Sequence, residues 1–217
     1  MQTFLDINNI FFTVIGYPMS YIEFFGTIFN ILSVWLVARN KILNWPIGII
    51  GTILFGLLFL QIQLYSDFIE QIYFLVTAFW GWYVWSSIKK DPESKTDITL
   101  LSVRQKIIWV VVIVLGTLAL GHLVSNFHIY FPDYFPLPAS YAYLDAFTTV
   151  LSFVATFLLI RKKLEAWYLW ILVDIIGIWL YWIKGVHFVS LLYVVFLVMA
   201  SQGLFIWLKI RSKEPKK

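Results

Sequence analysis

The chain has 217 residues, 61% of them hydrophobic and 13% charged, against about 45–50% and 25% in soluble domains. That balance excludes a water-soluble globular domain and makes the lipid bilayer the natural solvent of the chain. A net charge of +4 from 16 basic and 12 acidic residues does not call for nucleic acid as a partner, and the absence of cysteine excludes disulfide and thiol chemistry.

In chain order, residues 4–15 (FLDINNIFFTVI) read as a short amphipathic segment on the membrane surface. A secretory signal peptide is not expected, because the first twenty residues lack a basic n-region and a small-residue cleavage site. Apolar runs between polar punctuation then predict seven spans, at 21–38, 46–63, 68–87, 107–124, 143–160, 167–183 and 188–208. Each is close to the roughly 20 apolar residues that a helix needs to cross hydrocarbon with its backbone groups satisfied internally. The loops after the odd-numbered spans and the C-terminal tail hold 15 basic residues: Arg39, Lys41, Lys89, Lys90, Lys95, Arg104, Lys106, Arg161, Lys162, Lys163, Lys209, Arg211, Lys213, Lys216 and Lys217. The other side has Lys184 alone. Basic residues favour the cytoplasmic face, so the N-terminus is expected outside and the C-terminus in the cytoplasm.

The chain also repeats. A shift of 122 residues, without a gap, pairs Glu23 with Asp145, Arg39 with Arg161, Lys41 with Lys163, Trp45 with Trp167, Gly81 with Gly203 and Trp85 with Trp207. The bland alternative is coincidence among helix ends, where Trp and Arg naturally collect. The expected fold class is therefore an all-α integral membrane protein in one domain, 1–217. It has a three-helix repeat at 21–87, a linking helix at 107–124 and a second repeat at 143–208. Both repeats enter the membrane in the same direction, a parallel 3+1+3 plan of the kind that includes the SWEET-like sugar carriers.

Candidate site residues follow from polar groups at depth. Trp167, Trp170 and Asp174 lie at i, i+3 and i+7 of span six, so they share a face, and the carboxyl falls near the middle of the span. An ionisable group there costs about 2.5–3.5 kcal/mol on insertion scales and by default marks a solute path. Beside indole rings it suits a flat cationic solute. The alternative makes the tryptophans interfacial anchors and Asp174 a bond to a neighbouring helix. The repeat partners of this face are Trp45, Gly48 and Thr52. Gln71, one turn beyond Asp67 in span three, suits a sugar or carboxamide, or an ordinary polar helix end. Thr148 and Ser152 in span five are pocket lining, or bond the backbone one turn back. In GWYVW, Gly81 is expected to allow close helix approach, with Trp85 and Trp207 anchoring at the cytoplasmic interface. His122, His128 and His187 are scattered, so neither a metal nor another cofactor is expected.

NWPIGII (Asn44 to Ile50), LYSDFIEQIY (Leu64 to Tyr73), GWYVW (Gly81 to Trp85) and RKKLEAWYLWILVD (Arg161 to Asp174), in this order, resemble the PnuC family of bacterial vitamin-precursor transporters, whose WxxW element the last run matches. The likeness covers about residues 20–208. It implies a SWEET-like protein of the bacterial inner membrane, often a homotrimer, that carries nicotinamide riboside by facilitated diffusion. A cytoplasmic kinase then traps the solute by phosphorylation, and related members carry thiamine or riboflavin. No Walker-type glycine loop is present, as suits a carrier without ATP of its own. The chain departs from the pattern of the riboside carriers at Thr156, where glutamine is common, and at Asp174, where asparagine often stands. A small aromatic vitamin precursor is thus the expected partner, with nicotinamide riboside first, thiamine second and riboflavin third. A seven-helix receptor is the rival of another class; residues 188–208 lack the lysine that a retinal Schiff base requires. A membrane enzyme would need an acid–base pair or metal ligands that no cluster of residues supplies.

Overall fold

The computed structural model describes residues 4–14, 16–62, 65–90, 98–133, 137–185 and 187–213. Ile15, Gln63, Leu64, Lys95, Lys216 and Lys217, each part of a feature expected from the sequence, lie outside the described residues. The elements run β1 (Ile10–Val14), β2 (Tyr17–Ser20), α1 (Tyr21–Ala38), α2 (Asn44–Gln61), α3 (Tyr65–Lys90), α4 (Val103–Ser125), α5 (Phe127–Tyr130), α6 (Ala142–Ile160), α7 (Glu165–Ile183) and α8 (His187–Ser212).

Six of these helices, α1, α2, α4, α6, α7 and α8, are long and apolar enough to cross a membrane. The sequence leads one to expect seven. Helix α3 is long enough, at 26 residues, but Asp67, Glu70 and Gln71 at its start and the polar-tipped rings of Tyr73, Trp80, Trp82, Tyr83 and Trp85 dilute its hydropathy. The segment before α1 takes a form that the sequence leaves open. It pairs antiparallel as a hairpin, with Val14 opposite Tyr17 and Ile10 opposite Ser20. Phe11, Phe12, Thr13 and Val14 are strand formers, and Gly16, at φ +82°, supplies a backbone conformation that other residues rarely adopt.

By contact the chain divides into two compact units, Met1–Asp97 with Gln202–Lys217, and Ile98–Ser201. In the first, α1 packs on α2 and α2 on α3. Ile22, Leu54 and Leu58 form a buried core with Phe25, Phe29 and Phe55 against it. The Ser33 hydroxyl donates to Asn44 O at 2.9 Å, fixing the helix pair at its loop end. At Gly81 a Cβ would stand 2.4–2.5 Å from the Trp45 ring, so the close approach expected of this glycine is present. Trp85 and Trp207 differ from expectation. They are 3% and 0% exposed. Trp85 meets Trp45 edge to face at 5.4 Å and Trp207 at 6.5 Å, while Trp207 Nε1 donates to Val37 O at 3.3 Å. An indole with an internal acceptor for its N–H gains more from burial than from the interface.

In the second unit α4 packs on α6 and α6 on α7. Ser102 and Gln105 form a capping box at the start of α4. Lys184 Nζ reaches both carboxylate oxygens of Asp145, at 2.8 and 3.1 Å, and ties the end of α7 to the start of α6.

Four of the six bounds of α1, α2 and α3 recur in α6, α7 and α8 at one offset, and the other two fall one residue short of it. Adding 122 to Ala38, Gln61, Tyr65 and Lys90 gives Ile160, Ile183, His187 and Ser212, the corresponding bounds of α6, α7 and α8. The exits from α1 and α6 match in their two closing bonds. Asn40 and Lys162 hold φ +54° and +52°. Their N–H groups donate to Val37 O and Leu159 O, and those of Lys41 and Lys163 to Leu36 O and Leu158 O, at 2.9–3.0 Å. This is the Schellman closure, which satisfies carbonyls left over at a helix end.

Candidate functional site

Helix α7 has two faces. Tyr168, Leu172, Ile175, Trp179 and Trp182 are exposed, and Ala166, Trp167, Val173, Asp174, Gly177 and Leu180 are buried. For a helix in lipid this is the expected arrangement, with an apolar outer stripe and the polar group turned inward. Asp174 stands nine residues from either end of the 19-residue helix, about 13 Å along the axis at 1.5 Å per residue. It is 2% exposed, and its Oδ2 has no hydrogen-bond partner among the described residues. A buried polar atom left unsatisfied costs about 1–3 kcal/mol, and such atoms are few in native structures. A donor or a positive charge brought to mid-span would satisfy it.

The other expected residues separate by unit. Trp167, one turn before Trp170 and 1% exposed, shares the second unit with half-buried Trp170, Thr148 and Ser152. The Thr148 hydroxyl donates to Asp145 O at 2.9 Å and to Leu144 O at 3.2 Å, the backbone-bonding alternative for a helical threonine. Ser152 is buried, and its carbonyl accepts from the Thr156 hydroxyl at 2.8 Å. In the first unit Trp45 packs under Gly81, and its Nε1 has no hydrogen-bond partner among the described residues. Thr52 is buried, while Gln71 is half-buried and adjoins Gly56 of α2. Thr27 carries no motif that would mark it in the sequence. This residue of α1 is 9% exposed and its hydroxyl is unpartnered among the described residues. Its one sequence signal is that the 122-residue shift sets it against Thr149. Among the described residues no three His, Asp or Glu side chains group to hold a metal ion.

Membrane-length apolar helices, one of them with an orphaned carboxyl oxygen at its centre, fit a polytopic membrane protein. The fold agrees: the chain aligns with a crystal structure of the vitamin B3 transporter PnuC at a TM-score of 0.68 and 24% identity, covering 89% of this chain and 83% of that one. Over residues 20–209 it matches the nicotinamide mononucleotide transporter family, and it belongs to that family. It is a multi-pass membrane transporter and not an enzyme. The nicotinamide riboside transporter PnuC of Escherichia coli is 29% identical over 210 residues, spanning 89% of this chain and 87% of that protein. The riboflavin/roseoflavin transporter RibM of Streptomyces davaonensis is 23% identical over 203 residues, spanning 93% and 91%.

Proposed function

We propose that this chain carries nicotinamide riboside across the bacterial inner membrane by facilitated diffusion, and that a cytoplasmic kinase traps it by phosphorylation. The observation that carries the reading is Asp174. A carboxyl buried at mid-span, with an oxygen short of a partner and Trp170 one turn away, suits a small solute whose aromatic ring bears a fixed positive charge. Trp167 and Trp170 supply ring faces, and Asp174 the countercharge. Thr148 and Ser152 are further candidates in the same unit, and Trp45, Thr52 and Gln71 are candidates in the first unit. The name of the Escherichia coli relative supports the same solute.

The architecture that fits this reading is a seven-span, SWEET-like 3+1+3 carrier with repeats at 21–87 and 143–208 and a linking helix at 107–124, α3 being the seventh span. The 122-residue offset of the helix bounds supports it. The basic loops place the N-terminus outside and the C-terminus in the cytoplasm, and the assembly is a homotrimer. A second reading, riboflavin, is favoured by the Streptomyces davaonensis relative; thiamine, cationic like nicotinamide riboside, is the third. Calorimetric titration of the purified protein with all three solutes tests the order. Tightest binding of nicotinamide riboside is expected, and binding of riboflavin alone would overturn the reading.

A further inference from the structure

The segment that leads into α4 is fastened to the loop between α6 and α7. Thr99 runs parallel to Lys163. Its N–H donates to Lys162 O at 3.1 Å, and its carbonyl accepts from Leu164 N–H at 3.0 Å. Lys163 Nζ donates to the Thr99 hydroxyl at 2.8 Å. Two residues on, the Leu101 N–H donates to the Glu165 carboxylate, 3.1 Å from each oxygen, and Lys106 Nζ pairs with the same carboxylate at 3.2 Å. Ile98, Leu101 and Leu164, at 1%, 7% and 1% exposed, seal the contact from water. The segment then enters the capping box of α4 without a break. Farther along, α4 meets α6 where Gly121 adjoins the Tyr143 ring.

The equivalent loop of the first unit shows what this fastening is for. Its backbone bonds match those of the α6–α7 loop, including Asn44 N–H to Lys41 O and Ala166 N–H to Lys163 O, both 3.1 Å. Yet the position equivalent to Glu165 is Leu43, which is 59% exposed. The loop thus closes without a carboxylate, and Glu165 serves the contact with residues 98–106.

We propose that α4 and the α6–α7 hairpin turn over as one piece during transport, held by a clasp of residues 98–102 on the α6–α7 loop, with Glu165 as the positioning residue. The linking helix is then a strut of the second unit and keeps the Asp174 helix in register with α6.

The chain has no cysteine, so Thr99→Cys with Lys163→Cys introduces the only thiols. Paired strands lie about 4.8 Å apart, inside the roughly 4.4–6.8 Å Cα separation that a disulfide spans. Uptake by the full chain in proteoliposomes, measured with whichever of nicotinamide riboside, thiamine and riboflavin the reduced protein carries, should change by no more than about twofold on oxidation. Uptake lost on oxidation and restored by dithiothreitol would overturn the proposal. A readout that needs no solute is the distance between nitroxides on exposed Leu118 and Leu172. One narrow distribution is expected, kept in Glu165→Gln, whose side-chain oxygen still accepts from Leu101, and broadened in Glu165→Ala. A second distance in the spin-labelled protein with Glu165 intact, or a Glu165→Ala distribution as narrow as that protein's, would also overturn it.

Discussion

Asp174→Asn separates a solute-binding carboxyl from one that only ties helices together. The substitution keeps the shape of the side chain and removes its capacity for negative charge, at a residue 2% exposed with one oxygen unpartnered among the described residues. If a cationic ring supplies the missing partner, the variant loses a charged interaction worth about 1.5–3 kcal/mol, roughly ten- to a hundredfold in affinity. The unliganded protein forfeits little, since no internal donor is removed from that oxygen. Its melting temperature in detergent should stay within about 3 °C of the parent, the shift that about 1 kcal/mol produces in a chain of this size. Calorimetric affinity for nicotinamide riboside and thermal melting, measured on both proteins, provide the comparison. Unchanged affinity together with a lowered melting temperature would make Asp174 a structural group and not a solute ligand.

Three further substitutions test the surroundings. Trp170→Ala should weaken binding of a cationic solute by about 0.5–2 kcal/mol if its ring face meets the charge, and should leave riboflavin affinity less affected; titration of both solutes checks this. Gly81→Ala places a methyl 2.4–2.5 Å from the buried Trp45 ring and should destabilise the protein by about 1–3 kcal/mol through overpacking, seen as a fall in detergent melting temperature. Trp207→Phe keeps most of the buried ring but loses the N–H bond to Val37 O; because the Asn40 N–H still donates to that carbonyl, the cost should be only about 0.5–1.5 kcal/mol in the same assay.

Much of this fold is written in residue pattern, because hydrocarbon imposes a simple rule on helices that cross it. The expected limits 21–38 and 143–160 fall within a residue of α1 and α6. The shift of 122, read from Arg, Lys, Trp and Gly pairs, reappears in the helix bounds and in the φ angles of Asn40 and Lys162. The inward turn of Asp174 follows from its cost in lipid. Other features have no local signature. An aromatic segment such as IFFTV has the same composition whether it pairs as a strand or lies along the membrane, so the hairpin was not foreseeable. Tryptophans near helix ends collect there both as interfacial anchors and as packing rings, and only the tertiary partners of Trp85 and Trp207 separate the two. The contact of Thr99 with Lys163 joins segments 64 residues apart and leaves no periodic trace. Thr148 is legible as a polar residue, but its bonds to Leu144 O and Asp145 O emerge only from the coordinates.

Passive carriage of a cationic vitamin precursor, as proposed, can be measured as uptake of labelled nicotinamide riboside into proteoliposomes of the purified protein with no ion gradient and no ATP. Saturable uptake is expected that stops when inside and outside concentrations are equal, and that unlabelled nicotinamide riboside suppresses more strongly than riboflavin does. Uptake that requires an imposed gradient, or that riboflavin alone suppresses, would contradict it.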